Sequence, residues 1–153
     1  MPTWRYSIRA LDPERTVKCA GRELRISPKA ATEICHAIRG MKLQKAKKLL
    51  EEVEEKKTSI PSRRYKKEVP HRRHQGFHAG RYPIKAANSI RRLLDELEAN
   101  AEYRGLDPEK VKIMHAVSHR GMKIRKYIPR AFGRTSAYFN TLTHVELVGY
   151  EIE

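Results

Sequence analysis

Between Val111 and Val145 the chain has no acidic residue, although Lys112, Arg120, Lys123, Arg125, Lys126, Arg130 and Arg134 all fall there. A stretch charged with one sign cannot satisfy itself by ion pairing, so its support is expected from a polyanion. Other absences restrict as much. No apolar run approaches the roughly 18 residues of a membrane span, and no charged-then-apolar leader opens the chain, so no membrane partner and a cytoplasmic location are expected. Cysteine is limited to Cys19 and Cys35, without CxxC spacing, which reads as reduced, buried thiols. Neither GxGxxG nor GxxxxGK[ST] occurs, so no phosphate-cradling loop is present. His115, His119 and His144, with Ser118 beside His119, are read as having no Asp or Glu placed to orient a histidine. No enzyme, cofactor or small-molecule substrate is expected.

What is present is charge, and its distribution says more than its total of +15. Lys56 to Lys85 holds ten Lys or Arg against the single Glu68, Val111 to Val145 holds seven against none, and the remainder is nearly neutral. A solubility device would spread both signs over the surface; two concentrated segments read as binding segments. In the first, Arg63, Arg64, Lys66, Lys67, Arg72, Arg73, Arg81 and Lys85 are interleaved with Tyr65, Phe77 and Tyr82, the combination of phosphate partners and stacking rings that RNA-binding segments use. Pro61, Pro70, Gly76 and Gly80 break its periodicity, so 58–82 reads as a structureless functional loop, with a disordered basic linker as the bland alternative. His71, His74 and His78 are spaced i, i+3, i+7, but no acidic or thiolate ligand accompanies them and the surrounding charge opposes a dication, so no metal is expected.

The last third reads as one long arm. Val111, Ile113, His115 and Val117 alternate with Lys112, Met114, Ala116 and Ser118, and Leu142, His144, Glu146 and Val148 alternate on the far side. Pro129 to Arg134 reads as the tip, with the turn near Ala131 and Phe132, which places Val111 opposite Ile152. Each flank of roughly 18 residues, at about 3.3 Å per residue, reaches some 60 Å, so the arm must protrude and be held from outside. Upstream, Trp4, Tyr6 and Ile8 suggest a short strand or extended tail ending in a turn at Leu11 to Pro13. Thr16 to Ile26 reads as a strand that could pair with the hairpin base. Ser27-Pro28 is a helix start with a capping hydroxyl, and Ala31, Ile34, Cys35 and Ile38 form its apolar stripe up to Gly40. A second helix is expected from Leu43 to Lys57, with Lys47 and Lys48 partly offsetting Glu51 and Glu52, and a third from Ile84 to Tyr103, stopped by Gly105. The fold class is α+β: three helices packed on a small antiparallel sheet, with a long protruding C-terminal β-hairpin. The body comprises about 1–57 and 83–110, the basic insertion 58–82, and the hairpin 111–153.

Five ordered motifs carry a resemblance: Leu24 to Lys29, Ile38-Arg39-Gly40, Gly80 to Ala87, Asn100 to Asp107 and Pro129 to Arg134. Together they resemble the L-twenty-two family of large-subunit ribosomal proteins. The basic insertion resembles the archaeal and eukaryotic branch, called L-seventeen in eukaryotes. The resemblance implies an early-assembling protein that contacts large-subunit rRNA and neighbouring ribosomal proteins near the exit of the nascent-peptide tunnel. It also implies that the hairpin runs inward, so that Pro129, Arg130, Ala131, Phe132, Gly133 and Arg134 meet the nascent peptide at the tunnel wall. Two other readings compete. A DNA architectural protein could wedge Pro129 and Phe132 into a minor groove, and a free RNA chaperone would bind many RNAs with little ordering.

Overall fold

The flanks of the C-terminal hairpin pair with each other and, at their base, with the N-terminal half of the chain. The computed structural model describes residues 5–9 and 11–152. Its central sheet has the order β1 (Thr16–Leu24), β8 (Asn140–Glu151), β5 (Val111–Ile124), antiparallel throughout. The lower half of the hairpin therefore belongs to the body: Val111, Ile113, Ala116, Val145 and Leu147 are fully buried. The protruding arm is shorter than the alternation suggests.

The register corrects the expected pairing. Val111 lies opposite Glu151, one residue from Ile152, because two irregularities, after Ile113 and after Arg120, each put an extra residue into β5. The first also changes the strand's phase. Ala116, expected on the outer row, faces the core, while His115 and Val117 are only half-buried. The edge of β5 is covered where Gly40 donates to the Ile113 carbonyl at 2.7 Å and Ile113 donates to the Met41 carbonyl at 2.8 Å.

Three α-helices, among the described residues, lie on this sheet: α1 (Pro28–Ile38), α2 (Leu43–Glu54) and α3 (Ile84–Tyr103). The α1 stripe is buried as its spacing requires. Its start differs in detail, for the Ser27 hydroxyl makes no capping bond, and it is the Ser27 carbonyl that accepts Ala31 N–H, at 2.9 Å. Helix α2 stops before the expected Lys57. Lys56 adopts φ 62°, while Lys57 N–H donates to the Glu52 carbonyl and Lys56 N–H to that of Val53. That is a Schellman stop without glycine, so no sequence signal announced it. The same pair of bonds ends α3, there with Gly105 at φ 75°. Lys47 reaches across to Asp95 (2.6 Å) and Glu98 of α3 rather than along α2, and Arg91 pairs with Glu54 at 3.1 Å, so acids of both helices are matched within the body.

Apolar side chains of all three helices and the sheet form one core. Cys19 and Cys35 are buried and unpaired, and burial pushes both thiols up to about 12, which makes them inert at neutral pH. Residues 5–9 form no strand, Pro13–Arg15 turn into β1, and Trp4 lies outside the described residues.

Segment 58–82 is not structureless. It forms its own small sheet of β2 (Ile60–Pro61), β3 (His71–Arg72) and β4 (Phe77–Arg81), in the order β2-β4-β3. Ser59, Ile60 and Ala79 are buried, and Gln75, on a short 3₁₀ turn, accepts Ser59 N–H at 3.0 Å and donates to the Lys57 carbonyl at 3.1 Å.

Candidate nucleic-acid interface

One carboxylate fastens the insertion to the body. Glu33, buried on α1, accepts the backbone N–H of Arg63 at 2.9 Å and of Arg64 at 3.0 Å through Oε1. Its Oε2 is buried without a hydrogen-bond partner, with Arg63 Nη1 3.8 Å away. The side chains of Arg63, Arg64, Lys66, Lys67, Arg73, Arg81 and Lys85 are all exposed. Arg72 differs, being half-buried with its guanidinium 5.1 Å from the Tyr82 ring centre. Arg81 also donates to the Glu68 carbonyl at 3.2 Å.

The arm is held in another way. Every residue from Met122 to Thr135 is exposed, including Lys123, Arg125, Lys126, Arg130 and Arg134, and Arg120 is exposed at its root. Strands β6 (Tyr127–Pro129) and β7 (Thr135–Ala137) form a separate two-stranded ladder, with the edge-to-face rings of Tyr127 and Phe139 6.0 Å apart near its base. At the tip Arg130 N–H donates to the Arg134 carbonyl at 2.8 Å, while Phe132 (φ 57°) and Gly133 (φ 63°) are both left-handed. Two consecutive left-handed residues are the φ pattern of a type I′ turn, here across Ala131 to Arg134, where Arg134 N–H donates to the Ala131 carbonyl at 3.4 Å inside a three-residue loop closed by Arg130 and Arg134. The Phe132 ring is 92% exposed, with the Arg134 guanidinium 6.0 Å from its centre.

The first turn of α1 brings the two basic segments together. Arg64 and Tyr65 from the insertion and Ser118 and Arg120 from the arm root line one groove with Lys29. Lys85 lines another with Arg25, Phe139 and Asn140. Arg130 and Arg134 belong to neither. Arg25 and Lys29 are cations the sequence reading missed. The signal was available: they bracket Ser27-Pro28, and the first turn of α1 has no acid. A helix start of this kind presents unpaired N–H groups and favours negative charge.

The histidines need one correction. Glu146, opposite Val117, is buried within reach of two of them: its Oε1 lies 3.9 Å from His119 Nε2, and its Oε2 accepts the Ser7 hydroxyl at 2.6 Å, while Ser7 Oγ stands 3.0 Å from His115 Nε2. A carboxylate is thus present after all. Its short hydrogen bond is to the Ser7 hydroxyl, and His119 lies farther off at the edge of ion-pair distance. The His71 and His78 rings lie 4.1 Å apart, tilted by 45°, and among the described residues no cluster of three His, Cys, Asp or Glu is placed to hold a metal ion.

A nearly neutral α+β body with one fastened and one protruding basic segment has the charge distribution of a protein that meets a polyanion. The chain belongs to the ribosomal protein L22p/L17e family, whose model matches residues 19–149. It is 47% identical over 153 residues to the large ribosomal subunit protein uL22 of Thermofilum pendens, covering 100% of both chains. It is 52% identical over 149 residues to that of Methanopyrus kandleri (95% of this chain, 94% of the relative) and 51% identical over 144 residues to that of Archaeoglobus fulgidus (94% and 93%).

Proposed function

We propose that this chain is a structural constituent of the large ribosomal subunit in the cytoplasm, and that it binds large-subunit rRNA through both basic segments. Arg63, Arg64, Lys66, Lys67, Arg72, Arg73, Arg81 and Lys85 act from the insertion, and Arg120, Lys123, Arg125, Lys126, Arg130 and Arg134 from the arm. The protein joins early in subunit assembly, and its tip, Pro129 to Arg134, lines the peptide exit tunnel and meets the nascent chain. The observation that carries this reading is the arm itself: from Met122 to Thr135 it is exposed throughout and contains no acid, so among the described residues no part of the body packs against it. Backbone phosphates supply what is missing, and the exposed Tyr127, Tyr138 and Phe139 supply faces for unstacked bases.

The test is binding of the full chain to large-subunit rRNA across a salt series. If about eight cations meet phosphates, log K should fall against log salt with a slope of roughly −6 to −7. Replacing Arg63, Arg64, Arg72 and Arg73 together should flatten it by about 3. A slope that ignores these replacements overturns the insertion's role. Equal competition by duplex DNA would favour the DNA-bending reading of Pro129 and Phe132.

A further inference from the structure

Between the first turn of α1 and the insertion lies a cleft of about 490 Å³. Its volume falls within the roughly 300–1,000 Å³ of small-molecule sites, and among the described residues Glu33 is the one carboxylate in its lining. Ile60 and Val69 give it apolar wall, Tyr65 and Tyr82 give it two aromatic rings, and Lys67 and Arg81 bring positive charge. Ser27 and Ser62 add hydroxyls that can donate or accept.

We infer that this cleft takes one unstacked nucleotide of the bound RNA, with the base against the tyrosine rings and its phosphate beside Lys67 and Arg81. The inference rests on the RNA-binding reading above and adds a specific site to it. A flat, weakly polar base is the ligand that uses aromatic walls, while its sugar and phosphate use the hydroxyls and the cations. An acidic peptide would satisfy the cations but leave the rings without a planar partner. A base inside a duplex cannot enter, because its faces are already stacked.

Both rings already carry cations, so a base that docks shares each ring with one. Tyr65 is 44% exposed, yet its ring is flanked by Lys29 Nζ at 4.5 Å and Arg64 Cζ at 5.9 Å, and Tyr82 by Arg72 at 5.1 Å. Glu33 fixes the backbone that carries Arg64, directly before Tyr65. Rings held by cations and a fastened chain lose little freedom when a base docks, so most of the stacking energy appears as affinity.

Rings and charges can be separated experimentally. With full-length protein and large-subunit rRNA, Tyr65→Leu should weaken binding about ten-fold without altering the salt slope, since stacking releases no counterions. Tyr65→Phe should restore binding to within about two-fold, because the face of the ring is what stacks. Ser62→Phe, which fills the cleft and leaves both tyrosines in place, should weaken binding as Tyr65→Leu does. In subunits assembled with Tyr65→Leu, an rRNA base should gain reactivity on its Watson–Crick edge. Circular dichroism should show each variant folded; a variant that is not is replaced by Val69→Trp as the cleft filler. If Tyr65→Leu and the filler bind like the parent while the arginine replacements still flatten the slope, the nucleotide site is wrong and the RNA-binding reading stands. If the parent itself binds without salt dependence, both fall.

Discussion

The insertion and the arm carry similar charge and reach it by opposite constructions. The insertion is folded onto the body: Ile60 and Ala79 are buried, Gln75 ties Ser59 to Lys57, and Glu33 holds the chain at Arg63 and Arg64. Beyond Gly121 the arm buries nothing until the chain returns to the body at Leu142. A two-stranded ribbon without a covered face is marginal in water, so under the proposed function the arm depends on its RNA for order, whereas the insertion is shaped in advance. Charge alone does not distinguish a preformed surface from one ordered by its partner; burial does.

Hydrogen exchange on the free protein tests that contrast most directly, and it carries the largest expected effect. Amides of Ile60 and of Ala79 to Arg81 should exchange slower than those of Met122 to Tyr138 by on the order of a thousand-fold, as expected when one region opens with a few kcal/mol and the other with almost none. Equal protection in both would mean that the ribbon stabilises itself and the comparison fails.

A smaller effect isolates what fastens the insertion. Glu33→Ala leaves two backbone donors without their acceptor, which should cost about 1–3 kcal/mol. The loss should be local: exchange of Ile60 to Arg64 rises while the arm is unchanged. Glu33→Gln keeps a carbonyl for both N–H groups and should recover more than half of the loss. If alanine proves silent by exchange and by thermal unfolding, the carboxylate is not the fastener.

That carboxylate also marks the limit of what the sequence discloses. The helical stripes, the glycine stop of α3 and the two concentrations of charge are local patterns, and each is present in the structure where its spacing places it. What escaped notice is joined over distance or lacks a residue signature. Glu33 lies some thirty positions before the two arginines it holds, and Gln75 some sixteen after Ser59. Prolines and glycines in 58–82 suggested an absence of structure because strands of two residues carry no period to detect. Lys56 ends a helix in a conformation that usually calls for glycine, and the irregularities in β5 shift the hairpin register and the strand's phase with no residue that marks them. Arg25 and Lys29 were readable in principle, but only if an acid-free helix start is counted as part of a basic surface.

The smallest effect is expected at the tip, where the arm departs furthest from what folding alone favours. A type I′ turn prefers Asn-Gly, and this one has Phe-Gly, with a bulky residue at φ 57°. Left-handed backbone costs such a residue on the order of 1 kcal/mol, and a ring that is 92% exposed recovers almost none of that from the chain. Phe132→Asn should therefore tighten the turn by at most about 1 kcal/mol, seen as slightly slower exchange at Arg130 and Arg134, with no change in the unfolding of the body. Its second consequence depends on the proposed tunnel role. If the ring serves what the tip meets, ribosomes carrying Phe132→Asn assemble normally and pause differently on nascent chains. If pausing is unchanged and large subunits accumulate poorly, the tip is only the far end of an RNA anchor. If both are unchanged, the strained phenylalanine serves neither the fold nor the tunnel, and the tip's place in the proposed function is lost.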